Sequence, residues 1–108
     1  MLRWTVELTD VAKRELKALP DDIRVRLVYV SELLEEFGPT NVGLPHVRPL
    51  ERKLWEMRVT GRDGIARAVY FAATGRKLTV VRIFVKKTRV TPRQEIDLAL
   101  RRMSELRR

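Results

Sequence analysis

Residues 54–92 read LWEMRVTGRDGIARAVYFAATGRKLTVVRIFVKKTRVTP. They predict three consecutive β-strands joined by tight turns. The first runs from Arg52 to Thr60, with Trp55, Met57 and Val59 on one face and Leu54, Glu56 and Arg58 on the other, the period-two alternation of a strand. Gly61-Arg62-Asp63-Gly64 is a hairpin turn, because its glycines accept positive φ and its aspartate suits a turn. The second strand, Ile65 to Ala73, puts Ile65, Arg67, Val69 and Phe71 on one face and Ala66, Ala68, Tyr70 and Ala72 on the other. Gly75-Arg76 turns the chain again. The third strand, Lys77 to Lys87, is apolar on both faces over much of its length, as a buried central strand is, and it runs out into Lys86-Lys87-Thr88-Arg89.

The flanking segments cover or extend this unit. Upstream, Trp4-Thr5-Val6-Glu7-Leu8 alternates like a short half-buried strand. Thr9 and Asp10 are good N-caps for a helix with Ala12, Leu16 and Leu19 at helical spacing, which Pro20 ends. A second helix opens with Asp21 and Asp22 at its positive end. Its residues Ile23, Leu27, Val30, Leu34 and Phe37 form one apolar stripe, read as core, and Gly38-Pro39 stops it. Residues 39–49 hold three prolines and a glycine and read as a loop, with His46 expected to be exposed in it. Downstream, Thr91-Pro92-Arg93-Gln94 has the pattern of a capping box with proline at the first helical position. The helix that follows carries Ile96, Ala99, Met103 and Leu106 on one face. It closes on Arg101, Arg102, Arg107 and Arg108, which suit the helix dipole. An amphipathic helix exposed at the chain end suits either a mobile element or one held by a partner protein. The predicted order β-α-α-β-β-β-α is α+β: a single domain over residues 1–108, with a helical hairpin packed on one side of a small antiparallel sheet.

Charge points to the partner. The net charge of +9 is unevenly spread: residues 48–93 hold thirteen Lys/Arg against Glu51, Glu56 and Asp63, while residues 1–47 are net −2. A basic block concentrated on one part of a fold is the footprint of a polyanion partner. The inventory also excludes chemistry. No cysteine is present and His46 is the only histidine, so disulfides, thiolate metal sites and multi-histidine metal sites are out. No Gly-rich phosphate loop appears, and no cofactor or metal is expected. No apolar run is long enough to span a membrane, and Arg3 and Glu7 sit where a signal peptide needs an apolar run. A soluble cytoplasmic protein is expected.

Three motifs, LWEMR, GIARAVYF and FVKKT-x-x-TP-x-x-EI, together resemble the phage-derived Gp49-like branch of the HigB toxins, within the RelE/ParE toxin superfamily. The resemblance covers nearly the whole chain. It implies a RelE-like fold and the toxin of a type II toxin–antitoxin pair: an mRNA interferase, commonly acting on the ribosome, neutralised by a helix-turn-helix, HigA-like antitoxin. Arg58, Arg67, Lys86 and Lys87 match the family's basic positions, and Thr88 and Arg93 lie near positions where relatives carry polar, basic or aromatic groups. The chain departs from the pattern at Arg52-Lys53, where a glycine is common, and at Arg82, where smaller or apolar residues occur. Lys53, Arg82, Thr88, Arg89 and Arg93 are accordingly expected as RNA contacts.

Such a site works without histidine. RNA carries its own nucleophile, the 2′-hydroxyl beside the scissile phosphate. Arg58 and Arg67 match phosphate oxygens with a planar fork that stays charged, and Lys86 or Lys87, crowded by other cations, suits proton transfer. Glu56 shares the face of Arg58 and suits orienting it. Tyr70 and Trp55 are read as core in preference to base-stacking platforms. Two alternatives remain open at this point: a gyrase poison, as in the ParE branch, and a non-catalytic nucleic-acid-binding module.

Overall fold

The computed structural model describes residues 3–107. Arg108, expected in the last turn of the final helix, lies outside them, as do Met1 and Leu2. The element order is β1 (Thr5–Leu8), α1 (Asp10–Lys17), α2 (Asp21–Phe37), β2 (Val47–Pro49), β3 (Leu54–Gly61), β4 (Gly64–Ala73), β5 (Lys77–Lys86) and α3 (Arg93–Leu106). The strands form one sheet in the order β1-β5-β4-β3-β2. The predicted meander is its antiparallel centre, with Gly61 opposite Gly64 across the first turn and Ala73 opposite Lys77 across the second.

Two strands extend this centre and make the sheet mixed. β1 pairs parallel with β5, from Thr5 beside Lys77 to Leu8 beside Val80. β2 was expected to be loop. Its prolines argue against a strand, but Pro49 sits on the outer edge of the sheet, where a missing N–H costs no ladder bond. Val47, Arg48 and Pro49 lie opposite Met57, Glu56 and Trp55.

Both faces of the sheet are covered. Ala12, Leu19, Ile23, Leu27, Val30 and Leu34 of the helical hairpin pack on Met57, Val59, Ala66, Ala68, Tyr70, Leu78, Val80 and Ile83. Phe37, expected in the same stripe, is instead 53% exposed, because α2 stops there and Gly38 turns away with φ +83°. On the opposite face Ala99 and Met103 of α3 pack on Leu54, Val69, Phe71, Val81 and Phe84. The terminal helix is therefore docked on the domain by its own apolar stripe.

A bulge in β5 decides which side chains reach which face. Val69 pairs with Arg82 but Tyr70 pairs with Val80, which leaves Val81 as the extra residue. Before the bulge Leu78 and Val80 face the hairpin. After it Ile83 and Val85 do, while Phe84 joins the α3 side. Past the end of β1 the open edge of β5 is closed by side chains: Ile83 N–H donates to Glu15 (3.0 Å), and Arg102 donates to Val81 O (2.8 Å). This satisfies main-chain groups that otherwise invite edge-to-edge pairing.

The first turn sits hard against α2. A Cβ built on Gly61 would fall 2.6 Å from Ile23 Cδ1, and Ile23 is fully buried and stiff at χ1. Gly61→Ala is expected to cost about 1–3 kcal/mol of stability through this overpacking. Urea unfolding checks it, and an unchanged midpoint refutes it.

Candidate functional site

The basic side chains of β2, β3 and β4 converge on one carboxylate. In the strand register Arg48 lies opposite Glu56, and Arg58 lies opposite Arg67. Two like charges directly opposite each other are unfavourable, and Glu56, on the same face two residues before Arg58, offsets them. Its Oε2 is 3.2 Å from Arg58 Nε and 3.6 Å from Arg48 Nε, and its Oε1 is 4.0 Å from Arg67 Nε. Neither Arg58 Nε nor Arg67 Nε makes a hydrogen bond, so these approaches act through charge. Glu56 and Arg67 are both fully buried, whereas the Arg58 side chain is 16% and the Arg48 side chain 43% exposed. Burial, followed by the charge of Arg58, lowers the pKa of the Arg67 guanidinium from its ordinary value, from a starting point high enough to keep it ionised.

The loop after β5 is strapped onto this cluster. Thr91 Oγ1 donates to Glu56 Oε1 (2.6 Å), Arg67 donates to Thr88 O, and Arg58 donates to Arg89 O. The Thr91 contact replaces the expected capping box: Pro92 is the N-cap residue, and no side chain caps α3. The Thr91 hydroxyl is turned toward the carboxylate, to which it donates a charge-assisted bond, and its oxygen accepts no N–H from the first turn of α3.

The remaining expected residues divide into two groups. Lys86, Lys87, Thr88 and Arg89 are all exposed beside the strap. Ile65 pairs with Lys86 one row beyond the Arg67–Phe84 pair, so the bulged register gives Lys86 the face of Arg67 and Arg58. Arg82, Arg93 and Lys53 stand apart. Arg82 lies against Glu95 (2.7 Å) and Glu15 (2.5 Å), whose hydrogen bonds, Glu95's first, raise its pKa despite burial. Three of its N–H donors are held by Glu95 and Glu15, and its side chain is 22% exposed, which sets it apart from the exposed members of the expected RNA contacts. Arg93 is paired with Asp97 (2.7 Å) and Glu51, and both raise its pKa. Lys53 precedes β3 and lines a hollow with Phe71 and Leu106, roughly 20 Å along the strand from the Lys86 row at ~3.3 Å per residue.

Arg67 departs from expectation in its exposure. It has no surface to offer a phosphate, and its remaining polar contact is with Ile65 O at 3.4 Å. It ties the strap to the sheet. Two members of the cluster escaped the sequence reading. Arg48 was assigned to a loop because of its prolines, and Thr91 was assigned to a helix cap. Only the pairing of β2 with β3 exposes the first. Tyr70 is core as expected; burial pushes its hydroxyl pKa well up, and the hydroxyl has no hydrogen-bond partner. Trp55 is 38% exposed. Among the described residues no group of three or more His, Asp or Glu is placed to hold a metal ion, and no helix is long and apolar enough to cross a membrane.

This architecture is shared with solved structures. A chain of the archaeal RelE–RelB complex from Pyrococcus horikoshii superposes with a TM-score of 0.60 at 18% identity, over 82% of this chain and 100% of that one. A chain of the RelBE2 toxin–antitoxin complex from Mycobacterium tuberculosis gives 0.56 at 21% identity, over 79% and 100%. A chain of the intact Escherichia coli RelBE complex gives 0.54 at 15% identity, over 79% and 99%. At such identities the likeness establishes the fold, which is RelE-like. No curated protein matches in sequence. The model of the phage-derived Gp49-like proteins matches residues 14–104, from the first helix through the cationic cluster and strap to the last turns of α3, so the chain belongs to the Gp49-like family.

Proposed function

We propose that this protein is the toxin of a type II toxin–antitoxin pair and acts as a metal-independent mRNA interferase. The observation that carries the reading is the gathering of Arg48 and Arg58 around buried Glu56, beside exposed Lys86, Lys87 and Arg89. A single carboxylate neutralises only part of that charge, which leaves a cationic rim suited to a phosphodiester. The RelE-like fold and Gp49-like membership support the same reading.

In the reaction the 2′-hydroxyl oxygen bonds to phosphorus and the bond to the 5′-oxygen breaks. The hydroxyl proton passes to solvent, and the leaving oxygen takes a proton from the Lys86 ammonium. A 2′,3′-cyclic phosphate and a 5′-hydroxyl result. Arg58 and Arg48 stabilise charge on the phosphorane. Arg67 is assigned to positioning, since it holds the strap through Thr88 O without exposed surface. No strong base lies in the cluster, so placement of the RNA by the ribosome supplies much of the rate. A helix-turn-helix antitoxin is the expected neutralising partner.

Induction in cells with mapping of RNA 5′ ends tests this. Codon-phased cuts that vanish in Arg58→Ala support the interferase. Intact transcripts with DNA damage point to a gyrase poison, and unaffected growth in every strain rejects a toxin. Binding to a non-cleavable RNA is also expected to weaken with salt. About four phosphate contacts give a slope of log K against log salt of roughly −3; a slope near zero contradicts a phosphate-binding rim.

A further inference from the structure

Beyond the end of β2 the edge of β3 is uncovered, and a cleft of about 340 Å³ opens there between α2 and the loop that leads into β2. Its volume lies in the ~300–1,000 Å³ range of small-ligand sites. Arg26 and Tyr29 line it from α2, His46 and Pro45 from the loop, and Arg58 from β3. Arg26 is held across it by a 2.7 Å hydrogen bond to Thr60 O, and Arg58 N–H donates to His46 O at 2.8 Å. Tyr29 is 57% exposed on a helix whose buried stripe it does not join. No carboxylate lines the cleft.

We infer that this cleft is a nucleobase subsite for single-stranded RNA, joined to the phosphate-binding rim through Arg58. The inference rests on the interferase reading for its substrate class and adds the place where the nucleotide next to the scissile phosphate is read. Three features select this occupant. An exposed aromatic ring offers a stacking platform, which a base fills without regard to sequence. The cation beside the ring, Arg26, suits a phosphate next to an inserted base. The imidazole of His46 can donate or accept at a base edge, which supplies selectivity. Arg58 links the two places, its N–H holding His46 at the cleft and its guanidinium standing beside Glu56 at the cluster, so base and phosphate sites adjoin.

The test is equilibrium binding of a short RNA made non-cleavable by 2′-deoxy substitution, run alongside 5′-end mapping after induction. Tyr29→Ala is expected to weaken binding about tenfold, the scale of one lost base–aromatic stack, while Tyr29→Phe stays near wild type. His46→Ala is expected to broaden the bases found at the cut sites. Tyr29 is exposed, so its truncation leaves the core intact, and a thermal melt confirms it. Binding unchanged in both Tyr29→Ala and His46→Ala overturns the subsite even if cleavage stands. Tyr29-dependent RNA binding without cleavage in cells retains the subsite and rejects the interferase. Loss of antitoxin neutralisation in Tyr29→Ala, with RNA binding intact, assigns the cleft to the protein partner and overturns the subsite.

Discussion

Glu56→Ala lowers stability by about 3–5 kcal/mol, the cost of leaving a buried charge without its partner. For a domain of this size that is a fall in Tm of roughly 15–30 °C. Among the described residues, the substitution removes the only carboxylate in contact with Arg48, Arg58 and Arg67. Arg67 is left fully buried opposite another arginine, where burial and Arg58 already disfavour its charge. Thr91 loses its acceptor as well. Most of the penalty belongs to Arg67, because Arg48 and Arg58 reach water. Glu56→Ala combined with Arg67→Met therefore recovers much of the loss, since apolar replacement of a buried ion pair is often neutral or better. Circular dichroism melts of the single and double variants read this directly. A single variant within 1 kcal/mol of wild type shows that the cluster is not held by Glu56.

The second large effect separates the two adjacent lysines. Lys86→Ala is expected to reduce cleavage of ribosome-bound mRNA by about 10²-fold, the lower range for loss of a general acid. Lys87→Ala is expected to cost less than Lys86→Ala by an order of magnitude. The bulge at Val81 carries the argument: after it, Lys86 takes the alternate position that also holds Phe84 and Arg67, and Lys87 falls beyond the strand on the other parity. Both side chains are exposed, so neither loss is confounded by unfolding. Single-turnover cleavage rates decide the matter, and a larger defect in Lys87→Ala overturns the assignment. Without the bulge the alternation of β5 would point the other way, so the experiment also tests the register.

Much of the fold was legible because local signals agreed. The alternation of Trp55, Met57 and Val59, the glycines of the first turn and the stripe Ile23–Leu27–Val30–Leu34 each point to one structure, and that structure forms. The signals failed where a tertiary contact outweighed them. Val47-Arg48-Pro49 is a strand because β3 offers an edge that tolerates proline, and nothing local announces this. Thr91 has the sequence of a cap and the hydroxyl of a site residue, and the nearby carboxylate took it. At the cluster, residue types and strand faces gave the neighbours but not their depth. Arginine is normally exposed, and only Phe84 beneath it, with the strap closing over it, turns Arg67 into an interior residue.

The strap has a consequence for how the protein can change. Arg58 and Arg67 hold residues 88 and 89 by their carbonyls, and every amino acid supplies a carbonyl. The side chains of Thr88, Arg89 and Val90 are exposed and make none of those bonds to the sheet, although the Thr88 hydroxyl donates within the strap to Val90 O. Substitutions there leave the anchor unaltered while recolouring the rim of the cluster. Descendants of this chain can diversify what they grip at three adjacent positions without rebuilding the platform beneath.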